Sequence, residues 1–257
     1  MLTSNDNPRI KTARVLQTKK GRDQLDLFLA EGETLVKEYT TYSDCVEYIL
    51  ISEKKEQDLW DLSLFDHYYV KGSVFDSISS TQNSQGIVAV VRKKTYSLEE
   101  ITKNNLILYA DSIQDPGNMG TIIRSCDAFG AKSIIYNKGC VDIFNPKTIR
   151  ATMGSLTRLA HFKTDSNLET LLALKDLGYT IFSAVVDSNL FLESINKFEK
   201  AVIIVGNESK GIDPAIIDSS DTRFSIRMNG SIESLNVGVA ASICLYHFAK
   251  IANHPRI

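Results

Sequence analysis

The chain is poor in the residues that most metal and redox sites need. Its 257 residues include four cysteines, four histidines and a single tryptophan. Cys45, Cys126, Cys140 and Cys244 stand far apart with no Cys-x-x-Cys pair, so neither a disulfide framework nor a zinc site is expected. His67, His161, His247 and His254 also lack metal-ligand spacing, and no metal is expected. No apolar run approaches the ~18 residues needed to cross a bilayer. The opening stretch MLTSNDNPRIKTARVLQ is polar and basic where a secretory signal would carry an apolar centre. A cytoplasmic protein without a membrane partner is expected. A strong charge of one sign is missing too: 29 Lys and Arg oppose 31 Asp and Glu, a formal net charge of −2. The chain as a whole does not announce a nucleic-acid partner.

What is present is an ordinary globular composition, 43% hydrophobic and 23% charged, enough for two modest domains. The charge is unevenly placed. Up to Arg22 the basic residues Arg9, Lys11, Arg14, Lys19, Lys20 and Arg22 face Asp6 alone. Such a cluster either meets phosphates or forms a solvated helix face.

Residues 1–95 read as a small α/β domain. LDLFLAEG, CVEYILIS, HYYV and GIVAVV have strand character, ETLVKEYTT is helical, and the polar EKKEQDLWDL is read as a further helix. The charged RKKTYSLEE reads as a linker. Residues 96–257 alternate strands and helices, beginning with the nearly continuous apolar NLILYAD and ending in the long helix SLNVGVAASICLYHFAKIA. That alternation implies a mostly parallel sheet covered on both faces. Ligands of such sheets lie beyond the carboxyl ends of the strands, which directs attention to the loops after Ala110, Val205 and Ile226.

In the first loop, DSIQDPGNMGTIIRSCDAFG, Pro116 and Gly117 suggest a turn, with the helix starting near Asn118 or Gly120 and Asn118 as a candidate cap. Arg124 interrupts the apolar residues Ile122, Ile123 and Phe129, where an arginine needs a carboxylate or phosphate partner. The second loop, AVIIVGNESKGID, begins like a phosphate loop at Gly206 and Gly211. It then fails, because Ile212 and Asp213 replace the Lys and Ser/Thr that would hold phosphate and magnesium. A strand ending in Gly206, Asn207 and Glu208 suits a neutral or cationic ligand held by main chain. In the third, FSIRMNGSIESLNVGVAASI, Ser234 and Asn236 bracket a helix start. Gly238, Ala240, Ala241 and Ser242 then allow close backbone approach.

Together the three loops, in this order and at these intervals, resemble the SpoU/TrmH family of RNA ribose 2′-O-methyltransferases. The match lies in Asn118, Gly120 and Arg124, in Gly206, Glu208 and Gly211, and in Ser234, Leu235 and Asn236, over roughly residues 105 to 250. The preceding NPRIKTARVLQTKKGR, FLAEG and QGIVAVV resemble the substrate-binding domain of many members, itself similar to RNA-binding ribosomal proteins. In one place the chain departs from the family, with Arg227 where a proline is usual.

The resemblance implies an α/β fold of the SPOUT class, with a deep trefoil knot in the mostly parallel C-terminal sheet. It implies S-adenosylmethionine as methyl donor, bound in the knot against Gly206, Asn207, Ile226, Met228 and Leu235, with no metal. It implies a homodimer in which Arg124 reaches the donor across the subunit interface. Asn118, Arg124, Glu208, Ser234 and Asn236 are the implied catalytic set. A free guanidinium gives up its proton only above about pH 12, so Arg124 either loses its proton in the closed site or clamps the substrate phosphate. Arg9, Lys11, Lys19, Lys20 and Arg22 become candidate RNA contacts. Large-subunit (23S) ribosomal RNA is the expected substrate. Transfer RNA stays open as the alternative, as does an RNA-binding protein that has lost activity.

Overall fold

Asn7 opens the first helix by accepting a hydrogen bond from the Arg9 N–H, and Pro8 takes the first helical position, where its missing N–H costs nothing. This is α1 (Pro8–Val15). Thr18 caps α2 (Lys19–Leu25) by accepting from the Gly21 N–H. Glycine is required at 21, since a Cβ there would lie 2.1 Å from the Val15 carbonyl oxygen. Next come β1 (Leu27–Glu31), α3 (Glu33–Tyr42), β2 (Val46–Ser52), β3 (His67–Val70), α4 (Gly72–Phe75) and β4 (Ile87–Arg92). The four strands form one sheet in the order β1-β4-β2-β3, in which only β2 and β3 are parallel. Ile10, Ala13 and Leu16 of the N-terminal helical segment, with Phe75 of α4, pack on Leu50, Val70, Val88 and Val90 of the sheet.

The structure is a computed structural model that describes residues 1–55, 59–81 and 83–252. It divides into two units, Met1–Lys94 with Asp142–Thr157, and Thr95–Val141 with Arg158–Ile257. Two local expectations change. In EKKEQDLWDL the described residues 53–55 and 59–62 are turn and loop, not helix, and residues 56–58 lie outside the description. Its apolar residues Leu59, Trp60 and Leu62 are bunched at one end, so no helical stripe forms. The presumed linker is partly ordered into elements: Arg92 completes β4, and Ser97 with Glu100 makes a capping box on α5 (Leu98–Ile101).

The remaining elements are β5 (Leu106–Ala110), α6 (Pro116–Phe129), β6 (Ser133–Tyr136), α7 (Pro146–Thr152), β7 (Ala160–Lys163), α8 (Asn167–Asp176), β8 (Thr180–Ala184), β9 (Ala201–Val205), α9 (Pro214–Asp218), β10 (Thr222–Phe224) and α10 (Val237–Ala252). The segment carrying α7 belongs to the first unit. Its Ile143 and Ile149 are buried, the Phe144 ring lies 4.9 Å from that of Phe28, and Asp142 pairs with Arg22.

In the second unit all six strands are parallel, in the order β10-β8-β9-β5-β6-β7. β5, β6 and β9 are buried along their whole length, as strands covered on both faces must be. Leu171 and Leu174 of α8 and Ile216 of α9 share a core with Tyr109, Ile181, Val202 and Ile204.

Candidate active site

The six-stranded sheet changes direction between β5 and β9: β6 and β7 lie on one side of this pair, β8 and β10 on the other. Such a switch point is where open α/β sheets place their ligands. The loops at this end are residues 111–115, 206–213 and 225–236.

The loop after β9 is a tight hairpin. The backbones of Asn207 and Gly211 exchange hydrogen bonds of 2.9 Å in both directions. Asn207 Oδ1 accepts from the N–H groups of Ser209 and Lys210, each at 3.0 Å. A Cβ on Gly206 would lie 2.3 Å from Ile212 N and 2.4 Å from Gly211 C, so only glycine lets the hairpin close. The glycines that mimic a phosphate loop therefore serve backbone packing.

Two struts tie this hairpin to the loop after β5. Asn207 Nδ2 donates to the Ser112 carbonyl at 2.9 Å, and the Asp213 N–H donates to Asp111 Oδ2 at 2.7 Å. Asp111 is buried and also accepts from Asn137 Nδ2 at 2.5 Å and from Ser112 Oγ at 3.0 Å. Ser112 itself is held in the left-handed region at φ 57° by an N–H bond to Asn137 Oδ1 at 3.0 Å. Sequence reading passed over Asp111. Its one signal was an acidic residue directly after a wholly apolar strand.

Three residues singled out from separate motifs meet. The expected turn at Pro116 and Gly117 is instead the first turn of α6, with Asp115, not Asn118, as cap: Asp115 Oδ1 accepts from the Asn118 N–H at 2.8 Å. Proline is favoured at the first helical position, which places the cap before it. The Asn118 side chain is thereby released. Its Nδ2 donates to Glu208 Oε1 at 2.7 Å, and its Oδ1 accepts from Asn236 Nδ2 at 2.9 Å. Asn236 Oδ1 in turn accepts from the N–H groups of Gly238 and Val239, at 2.9 and 3.3 Å, at the head of α10. The result is a line Glu208–Asn118–Asn236 drawn from all three loops.

Arg124 and Ser234 do not join that line. Both are exposed, and among the described residues neither has a hydrogen-bond or ion-pair partner. Of the carboxylate or phosphate partner expected for Arg124, no carboxylate is found among the described residues, because α6 turns this position to solvent. Six residues beyond Asn118, it lies roughly 120° away around the helix.

A cleft of about 480 Å³ is walled by residues 184–186, the hairpin 206–211, Ile226, Met228, residues 233–235, Val237 and Ala240. Its size is ordinary for a cofactor site. All five residues expected to hold the donor, Gly206, Asn207, Ile226, Met228 and Leu235, line it, together with Glu208 and Ser234.

In the first unit the basic cluster is uneven. Arg22 is corrected from RNA contact to structural residue: it is 2% exposed, its Nη2 lies 2.7 Å from Asp142 Oδ2, and its Nη1 donates to the carbonyls of Leu16 and Gln17. Lys11 pairs with Asp6 at 2.9 Å and Lys19 with Asp23 at 2.6 Å. Hydrogen bonds from Lys19 and Lys93 hold the Asp23 carboxyl down at about 2. The Arg9 guanidinium stacks 4.2 Å over the Tyr68 ring. Lys20 is exposed and, among the described residues, unpaired.

Residues 105–246 match the model of the SpoU rRNA Methylase family, and residues 7–89 that of the MRM3-like substrate binding domain. The 23S rRNA (guanosine(2553)-2′-O)-methyltransferase RlmP of Bacillus subtilis is 32% identical over 247 residues, covering 96% of this chain and 98% of the relative. Among solved structures, an AdoMet-bound rRNA methyltransferase from Sinorhizobium meliloti matches with a TM-score of 0.88 at 25% identity, over 99% of this chain and 98% of the other. An RNA 2′-O ribose methyltransferase matches with a TM-score of 0.81 at 28% identity, over 97% and 98%. The resemblance carried by the three loops thus holds along the whole chain, and the chain belongs to the SpoU rRNA methylase family.

Proposed function

We propose that this enzyme methylates the 2′-hydroxyl of a ribose in 23S ribosomal RNA, with S-adenosylmethionine as donor. One observation carries the reading: Asn118, Glu208 and Asn236 form a single hydrogen-bonded line that ends on the wall of the cleft. The Bacillus subtilis relative is named for a guanosine of 23S rRNA, and a guanosine is the target proposed here. The substrate-binding domain matched over residues 7–89 favours ribosomal over transfer RNA.

The cleft suits the donor. Val185, Ile226, Leu235 and Val237 give apolar walls, and the hairpin 206–211 offers main-chain donors and acceptors. S-adenosylmethionine supplies a methyl group already activated on a sulfonium. The chain's own task is to hold the ribose oxygen in line, which is worth on the order of 7–11 kcal/mol in favourable cases. Glu208 accepts only, so it fixes the orientation of the Asn118 amide and leaves the second Nδ2 hydrogen and an Oδ1 lone pair for the ribose. Arg124 acts as a bidentate clamp on the substrate phosphate, and the hydroxyl proton leaves to phosphate or water.

Arg124 does so from the partner subunit of a homodimer. α6 and α10 run side by side: Gly238 meets Thr121, Ser242 bonds Ser125 at 2.6 Å, and Tyr246 packs on Phe129 at 5.7 Å. The pair presents to solvent Val239, Ile243 and Tyr246 of α10, at 47%, 37% and 60% exposure, together with Arg124 of α6. This apolar stripe supports a two-fold contact. The knotted chain path belongs to the same reading, supported by the bonds that tie the hairpin 206–213 to residues 111 and 112. A ribosomal RNA substrate supports a cytoplasmic location. Among the described residues no helix is long and apolar enough to cross a membrane.

The test is a map of 2′-O-methylated positions in 23S RNA from cells with and without the gene, beside calorimetry with S-adenosylmethionine. Loss of one methylated ribose and micromolar donor binding are expected. An unchanged map, or no binding at millimolar donor, overturns the reading.

A further inference from the structure

Building on that reading, we propose that Arg227 binds a phosphate of the substrate RNA beside the donor cleft, pre-set by stacking on Phe191. After β10 the chain is pinned at Ser225, which bridges Phe191 in parallel register. Its N–H donates to the Leu190 carbonyl, and its carbonyl accepts from the Leu192 N–H, both at 2.9 Å. These bonds fix Phe191 beside the strand end. The Arg227 guanidinium carbon then lies 4.1 Å from the centre of the Phe191 ring. Stacking engages the flat face of a guanidinium and leaves its N–H edges pointing outward.

Those edges have no partner among the described residues, although Arg227 is exposed. Arg223 makes the contrast. It lies four residues earlier, is also exposed, and spends its fork on Asp218 at 2.8 Å. The neighbours Ile226 and Met228 both line the cleft and Arg227 itself does not, so Arg227 stands beside the cleft, outside its lining and between two residues of its wall. A planar, oriented, unpaired guanidinium matches a phosphodiester better than any other group the substrate offers. The two other roles open to it are a purely structural stack and a contact with the donor itself.

The experiment measures affinity for an unmodified 23S RNA transcript by filter binding at several salt concentrations, with donor calorimetry and methyl transfer alongside. Arg227→Ala is expected to weaken RNA binding by about 5–10-fold and to make the salt dependence shallower by nearly one ion. Its donor affinity stays within about twofold of wild type. Phe191→Leu keeps the charge but frees it, so the salt slope is retained and RNA affinity falls by about 2–4-fold. Arg227→Lys behaves like Phe191→Leu, because an ammonium keeps the charge without the stacked fork. Wild-type RNA affinity and slope in Arg227→Ala overturn the proposal, as does a loss confined to donor affinity. A wild-type enzyme that transfers no methyl group marks failure of the functional reading instead, and filter binding still reads Arg227 in that case.

Discussion

Asn118 Nδ2 donates to Glu208 Oε1 at 2.7 Å, joining two loops 90 residues apart. Reversing the donor is therefore more harmful than removing it. Asn118→Asp sets a carboxylate against Glu208, whereas Asn118→Ala only deletes the bond. Asn118→Ala is expected to lower single-turnover methyl transfer about 100-fold, the usual cost of losing a positioned polar group. Asn118→Asp is expected to lower it further. Glu208→Gln added to Asn118→Asp restores a donor opposite an acceptor and recovers part of the rate. A double variant no faster than Asn118→Asp alone argues against this arrangement.

Asp111 accepts from Asp213, Asn137 and Ser112 while buried. Asp111→Ala leaves those donors unmatched, at about 1–3 kcal/mol for each that stays dry. A net loss of about 3 kcal/mol, or roughly 6–12 °C in Tm, is expected in a unit of this size. Because the lost bonds anchor the hairpin 206–213, donor affinity should fall at least tenfold, while turnover at saturating donor falls less. Asp111→Asn fares little better, since its amide meets a donor on one side. Calorimetry and thermal melts of the same preparations read both effects.

Val239, Ile243 and Tyr246 lie on one exposed face of α10, so Ile243→Asp should cost the isolated chain little stability, within about 0.5 kcal/mol. It should nevertheless yield a monomer by light scattering and abolish methyl transfer. Complementation tests whether Arg124 acts across the interface. Mixing Arg124→Ala with Asn118→Ala subunits makes heterodimers in which one site has both residues intact. About a quarter of wild-type activity is then expected from two inactive parents. If Arg124 serves its own subunit, the mixture stays inactive.

The basic N-terminal residues divide by burial. Side chains of the Arg22–Asp142 pair are 3% and 12% exposed, and breaking such a pair costs about 3–5 kcal/mol. Arg22→Met should lower Tm sharply. Lys11→Glu and Lys20→Glu should leave Tm unchanged but weaken RNA binding and flatten its salt dependence. Removing residues 1–94 is a poor substitute for these variants. It uncovers Ile143, Phe144 and Ile149, which pack within the first unit, and an insoluble product is expected.

The order of strands and helices was legible because buried parallel strands such as β5 and β9 are unbroken apolar runs. The family was legible because the three motifs keep their residues, order and intervals. What sequence hid was pairing at long range. Nothing near Arg22 marks Asp142, 120 residues away, as its partner, so a buried structural arginine looked like one of six surface cations. Asp115 and Asn118 compete for one cap, and only the place of Pro116 in the first turn decides between them. Arg124 fell beside apolar residues in sequence, yet one helical step separates a buried position from an exposed one.

Glu31 gives the first unit a pH dependence of definite sign. Burial raises its pKa, but hydrogen bonds from Ser79, Ser80 and Thr81 outweigh burial and hold it below the ordinary 4.5. Arg150 adds a cation at 3.7 Å. A carboxyl with a depressed pKa contributes stability that is fully present above its unfolded value and lost as pH falls through the folded one. At pH 7 the contribution is therefore intact, and Glu31→Gln is expected to cost about 2–3 kcal/mol. As pH falls below 4.5 and on through the lower folded value, the wild-type carboxyl takes up its proton and the gap between the two proteins should narrow and then close. Trp60, the single tryptophan, lies in this unit and bonds Thr40 Oγ1 through its Nε1 at 3.2 Å. Urea titrations followed by its fluorescence at pH 7, 5 and 4 thus report on the right part of the molecule. A gap that stays constant or widens on acidification would show that Glu31 is not held as its hydrogen bonds indicate.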